Sequence, residues 1–204
     1  MVRRVGVLGG TFDPPHCGHL AAARAASAAL ALDRLLLVVA NEPWQKVPQR
    51  SVTPAEDRFA MVEALVEAGP EIHGLEASRL EIDRGGPSYT ADTVDALVAE
   101  AAGRGETPPD IYLVVGADLV PGLWSWKRVQ DLQRTTRLAV VSRPQSPHPE
   151  VPPGWRAVHV DVETPDISSS EVRDLLEEGS DVDGLLPDSV IRCIRRRGLY
   201  AVGR

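Results

Sequence analysis

Leu35 to Ala40 reads Leu-Leu-Leu-Val-Val-Ala, six apolar residues in a row with no polar alternation. A strand with one face in water alternates apolar and polar side chains, so this run needs cover on both faces. Similar short apolar runs recur at Val5 to Leu8, Ile111 to Val115 and Leu138 to Ser142. Helical patterns lie between them: the alanine-rich Gly18 to Leu32, a segment opening at Thr53-Pro54-Ala55-Glu56, and Thr90 to Ala102. In the second of these, Thr53 is the expected N-cap, Pro54 the first helical residue and Glu56 the third. Its apolar stripe is Phe59, Met61, Val62, Leu65 and Val66. Ile72 to Ile82 is expected to hold one or two short strands and Ala157 to Asp161 another, and Ser168 to Glu178 and Pro187 to Arg197 fit the last helices.

Buried strands separated by helices make an α/β fold, a doubly wound parallel sheet with helices on both faces. One domain over residues 1–204 is expected, ending in a helical segment from about residue 168. In such folds ligands sit beyond the carboxyl ends of the strands. The informative residues should therefore follow Leu8, Ala40, Val115 and Asp161.

The bulk chemistry narrows the partners. A net charge of -7 argues against a broad nucleic-acid or anionic-membrane surface. The longest apolar stretch, Ala28 to Ala40, is broken by Asp33 and Arg34 and is too short to span a membrane. The apolar run before Gly9 is too short for a secretory signal. Two isolated cysteines, Cys17 and Cys193, fit a reducing, cytoplasmic setting better than a disulfide framework.

The strongest motif follows the first strand: Gly9-Gly10-Thr11-Phe12-Asp13-Pro14-Pro15-His16-Cys17-Gly18-His19. Glycines there let backbone N–H groups approach a phosphate closely, and the helix that follows presents the positive end of its dipole. His16 and His19, three apart, can face the same phosphate. Neither a Walker A loop nor the dinucleotide Gly-x-Gly-x-x-Gly pattern is present. A zinc set is not supplied by His16, Cys17 and His19, because no cysteine pair completes it.

This arrangement resembles the nucleotidyltransferase superfamily with its His-x-Gly-His signature, and so implies a Rossmann-like fold. A second segment, Ile167-Ser168-Ser169-Ser170-Glu171-Val172-Arg173, resembles that superfamily's motif for the β and γ phosphates of ATP. On its own it reads as a helix capped by Ser168 and Glu171, with Arg173 as a mobile cation. Gly116-Ala117-Asp118, followed by Trp124 and Trp126, resembles bacterial nicotinate mononucleotide adenylyltransferases. That resemblance implies nucleotide contacts at Gly116 and Asp118 and stacking of Trp124 on the pyridine ring; Trp126 reads as a core aromatic.

Ser88-Tyr89-Thr90 also resembles that family and sits at a helix N-terminus, where N–H groups favour a carboxylate. Ser88 or Thr90 is expected to cap the same helix. Lys46, in a Pro-Trp-Gln-Lys loop where many relatives carry Pro-His-Lys, is placed to approach a phosphate. Together these imply ATP-binding residues Gly9, Gly10, Thr11, Phe12, Gly18, Gly116, Asp118, Ile167, Ser168, Ser169 and Arg173. His16 and His19 would be catalytic, and Lys46, Ser88, Tyr89, Thr90 and Trp124 would hold the mononucleotide. The partners implied are ATP and nicotinate mononucleotide, with Mg²⁺ carried by substrate and water and no direct protein ligand. The resemblance also implies self-association. Alternatives are a transferase acting on nicotinamide mononucleotide or pantetheine phosphate or making a CDP-alcohol, and, from another class, a non-catalytic nucleotide sensor.

Overall fold

The four apolar runs form the four inner strands of a six-stranded sheet. The computed structural model describes residues 2–43, 52–143, 147–163 and 167–200. In chain order the strands are β1 (Arg4–Gly10), β2 (Arg34–Val39), β3 (Leu75–Ser78), β4 (Asp110–Gly116), β5 (Thr136–Ser142) and β6 (Ala157–Asp161). The sheet order is β3-β2-β1-β4-β5-β6, and every pairing is parallel. The edge strands β3 and β6 have no continuous buried run, because one side of each lies at the rim of the sheet.

The helices are α1 (Cys17–Leu30), α2 (Ala55–Glu67), α3 (Leu80–Arg84), α4 (Thr90–Gly103), α5 (Val129–Thr135), α6 (Ser169–Glu177) and α7 (Asp188–Arg197). A 3₁₀ segment, Ala117–Ser125, follows β4. Alternate residues of one strand point to opposite faces, and β2 shows it directly. Leu35, Leu37 and Val39 join the core under α1, α2 and α7, whereas Leu36 and Val38 join the core under α4 and α5. That two-sided burial is what the unbroken apolar runs require.

Two local expectations, the caps of α2 and α4, change, and one is narrowed. Pro54, not Thr53, occupies the N-cap position of α2, with no side-chain capping bond. Thr53 turns away from the helix, and its N–H donates to the Asp13 carboxylate at 3.4 Å. Within Ile72 to Ile82 there is one strand, and the rest turns into α3. Tyr89, not Ser88 or Thr90, is the N-cap of α4, again without a side-chain capping bond. Ser88 instead ties two loops together: its hydroxyl accepts from the Asn41 N–H at 2.8 Å and its own N–H donates to the Glu42 carbonyl at 3.1 Å. Among the described residues no helix is long and apolar enough to cross a membrane.

Candidate active site

The sheet order reverses direction between β1 and β4, and at such a switch point the outgoing loops diverge and leave a crevice. A cleft of about 500 Å³ opens there, a size suited to a nucleotide. Its floor is the end of β1 (Gly9, Gly10) and of β4 (Gly116). Thr11, Phe12, His16, Gly18 and His19 form one wall, Ser88, Tyr89 and Thr90 a second, and Ile167, Ser168 and Ser169 a third. Asp118 borders the opening. Residues from both ends and the middle of the sequence therefore meet in one crevice.

The phosphate loop is built for backbone approach. An added Cβ at Gly9 would meet nothing within 4 Å, so it would project into the open cleft. At Gly10 the space is already taken, because a Cβ there would lie 3.0 Å from the Phe12 ring. Phe12 is buried, at a left-handed φ of 53°, and its ring packs against His19 with centroids 5.0 Å apart. Phe12 thus supports His19 from beneath while bordering the cleft.

The His16 and His19 rings pack at a tilt of 40°, with centroids 3.8 Å apart. The backbone N–H of His16 donates to His19 Nδ1 at 3.1 Å. A neutral His19 must then carry its proton on Nε2, which makes that atom a hydrogen-bond donor. Burial pulls the His16 imidazole down to about 4, and the charge of Glu171 offsets only part of that. His16 is therefore neutral near pH 7. The side chains of His16 and His19 form a reciprocal capping box at the start of α1, which fixes both rings.

The α6 motif forms the expected capping box. Ser168 Oγ accepts from the Glu171 N–H at 3.2 Å, and the Ser168 N–H donates to the Glu171 carboxylate at 2.7 Å. The Ser169 hydroxyl donates to the Pro14 carbonyl at 2.9 Å. The Ser168 hydroxyl is thus used in capping α6 and the Ser169 hydroxyl in fixing that helix against the phosphate loop. What α6 offers an anion is chiefly the positive end of its dipole. Arg173 is not the mobile cation expected of a solvated helix face. It is 7% exposed, donates to the Asp13 carbonyl and to Ser170 Oγ, and does not line the cleft.

The two tryptophans differ in setting, and Trp126, read as a core aromatic, both packs on the core and reaches the cleft. Trp124 is 75% exposed and does not line the cleft. Trp126 does, resting on the core beneath α4 and α5. Lys46 lies outside the described residues.

Several contributors had no role in the sequence reading. Arg58 is 1% exposed and donates to three carbonyls: Thr53 at 2.7 Å, Thr11 at 2.8 Å and Asn41 at 3.0 Å. It joins the loop after β1 to the loop after β2. Its one sequence signal is an arginine in helical register with Met61, Val62 and Leu65, on a stripe otherwise apolar. Asp13, also buried, accepts from the Tyr200 hydroxyl. Burial pushes the Asp13 carboxyl up, but hydrogen bonds from Thr53 and Tyr200 and the charge of Arg173 outweigh it and hold the group below the ordinary carboxylate value. Glu81, Thr93, Lys127 and Arg143 also line the cleft.

A glycine-floored crevice at a switch point, with paired imidazoles at one helix start and a capped helix facing them, defines a nucleotidyltransferase site. The chain matches the family described as cytidylyltransferase-like over residues 7–175, and it belongs to that family. It is 38% identical over 199 residues to a protein of Acidothermus cellulolyticus named probable nicotinate-nucleotide adenylyltransferase, covering 97% of this chain and 94% of that one. A protein of the same name from Thermus thermophilus is 40% identical over 197 residues, covering 97% and 99%. Among solved structures, Plasmodium falciparum nicotinic acid mononucleotide adenylyltransferase complexed with NaAD superposes with a TM-score of 0.77 at 18% identity, over 97% of each chain. The chain is a member of the nicotinate-nucleotide adenylyltransferase family.

Proposed function

We propose that this chain transfers the adenylyl group of ATP to nicotinate mononucleotide, releasing deamido-NAD and pyrophosphate, as a step of NAD biosynthesis in the cytoplasm. The observation that carries the reading is the His16–His19 pair, packed with ring centroids 3.8 Å apart on the wall of the switch-point cleft. Both relatives above carry the nicotinate-nucleotide adenylyltransferase name, and the free thiols of Cys17 and Cys193 suit a reducing compartment.

In this reading an oxygen of the mononucleotide phosphate attacks the α-phosphorus of ATP. A P–O bond forms there as the bond to the β-phosphate oxygen breaks, and pyrophosphate leaves. The attacking phosphate is already anionic, so no general base is required. The protein positions the two substrates and stabilises charge on the α-phosphoryl oxygens. His19 Nε2–H and the neutral His16 ring donate to those oxygens. The N–H groups around Gly9 to Thr11 approach the triphosphate, and the N-terminus of α6 receives its distal end. Asp118 is exposed at the mouth and Glu81 is buried against the Thr93 hydroxyl. This donor set suits a hydrated Mg²⁺ carried by the triphosphate, which would neutralise part of its charge.

The test is turnover with Mg²⁺–ATP and, separately, nicotinate mononucleotide, nicotinamide mononucleotide and pantetheine phosphate, scoring pyrophosphate and the adenylylated product. Strong turnover with nicotinate mononucleotide supports the reading. ATP binding without pyrophosphate release from any acceptor would instead mark a nucleotide sensor. His19→Ala should lower turnover by roughly 10²-fold or more, the loss typical of a transition-state donor. A near-normal rate in that variant sinks the assigned role.

A further inference from the structure

We infer that Lys127 sets the preference for a mononucleotide whose ring bears a carboxylate, and that it does so by neutralising Asp92 at the start of α4. The inference rests on the pyridine-mononucleotide reading above. Lys127 lines the cleft and directly follows Trp126. Its Nζ lies 3.1 Å from Asp92 Oδ2 and 4.3 Å from the centroid of the Tyr89 ring. Tyr89 is the N-cap of α4, and Asp92 lies in its first turn.

A first-turn carboxylate complements the helix dipole and suits an empty site. It is unfavourable once a substrate carboxylate approaches the same turn, because the two like charges repel. Other charges do not relieve that. Glu81 and Asp118 also line the cleft; Arg84 stands 4.0 Å from Glu81 and is occupied there and with the Thr93 hydroxyl, so it does not reach Asp92 as a counter-charge. Arg128 stands 3.9 Å from Asp92, but its guanidinium is held closer by Asp95 at 2.5 Å and Asp131 at 2.8 Å. Arg143 enters the cleft from the end of β5, a different strand from the one that leads to Lys127. Lys127 is thus the cation committed to Asp92. With it in place, the N-terminus of α4 presents a near-neutral pair plus the positive dipole end, and an anion is accepted.

The residue type matters as well. Lysine occurs at two positions in this chain, against twenty arginines. The compact ammonium of Lys127 pairs with Asp92 while resting over the Tyr89 ring, with no guanidinium fork to spread into the space an incoming carboxylate would take. Both side chains are partly in water, 45% and 27% exposed, so screening limits the effect.

The experiment compares kcat/KM for nicotinate and nicotinamide mononucleotide in the intact protein and in Lys127→Met, Asp92→Asn and the double variant. Lys127→Met should lower the nicotinate-to-nicotinamide ratio at least about tenfold, the scale of one unrelieved like-charge contact near water. Adding Asp92→Asn should return the ratio to within about threefold of its starting value, since the repelling charge is then gone. An equal loss for both mononucleotides in Lys127→Met overturns the inference, as does failure of Asp92→Asn to restore the ratio. If the unaltered protein adenylylates neither mononucleotide, the parent reading falls and this one with it.

Discussion

Tyr200 and Asp13 stand 187 residues apart and share a 2.6 Å hydrogen bond from the phenol to Oδ1. The bond belongs to a set that ties the C-terminal helices to the turn after β1. Arg173 donates to the Asp13 carbonyl, and the Ser169 hydroxyl donates to the Pro14 carbonyl. The phosphate loop is therefore held from the far end of the chain. Tyr200→Phe removes one donor from a carboxylate that is 3% exposed. The expected cost is about 1.5–3 kcal/mol, the worth of a hydrogen bond to a charged group. Urea unfolding should show a lower midpoint at unchanged slope. A midpoint equal to that of the unaltered protein would show that Asp13 does not depend on the phenol.

His16 makes stability depend on pH in a defined window. Its folded pKa of about 4 lies below the ordinary 6.5, with burial as the cause. The unfolded chain then binds the proton more readily than the folded one, so stability rises with pH across that interval. The contribution is fully present above 6.5 and is lost as pH falls toward 4. Asp13 is also depressed, below 3.8, so its contribution disappears only at more acid pH. The unfolding midpoint should decline from about pH 7 to about 4.5, and His16→Asn should flatten that decline while leaving the acid limb due to carboxylates. An unchanged slope in the variant would falsify the burial argument.

Gly9 separates folding from binding. Its missing side chain leaves open space, so Gly9→Ala meets no protein atom within 4 Å. The melting temperature of the free protein should move by no more than about 2 °C, as for a surface change in a chain of this size. The upward shift caused by ATP should shrink sharply, because that shift depends on how far ligand exceeds its dissociation constant. An intact ATP shift in Gly9→Ala would show that the phosphates do not pass over this strand end.

The inner strands were legible because two-sided burial writes itself as an unbroken apolar run, as in Leu35 to Ala40. The sites of His16, His19 and Gly116 were legible because a motif follows the end of β1 and of β4, and Ser88 to Thr90 because they open α4. What stayed hidden depends on contacts distant in sequence. Arg58 reads as one polar residue on a helix, and nothing local shows that the carbonyls of Thr11, Asn41 and Thr53 converge on it. The mobility expected of Arg173 followed from treating α6 as a solvated helix, whereas its N-terminal half packs on the turn containing Asp13 and Pro14.

Trp124 and Trp126 are a sharper case, since they lie two residues apart and only one lines the cleft. The 3₁₀ segment ends at Ser125, and Trp126 is already extended, with φ −68° and ψ 139°. That change in backbone sends successive side chains in directions that a helical pattern does not give. Trp126 comes to rest between the core and the cleft, while Trp124 stays in water. Stacking on an aromatic ring is worth about 0.5–1.5 kcal/mol beyond the area buried. Trp126→Ala should therefore raise the KM for the mononucleotide by about tenfold or more, each ~1.4 kcal/mol being one decade. Trp124→Ala should change it less than about twofold, as for an exposed residue with no ligand contact. Steady-state kinetics at saturating ATP decides between them: a large KM effect in Trp124→Ala with none in Trp126→Ala would return the pyridine ring to the exposed tryptophan.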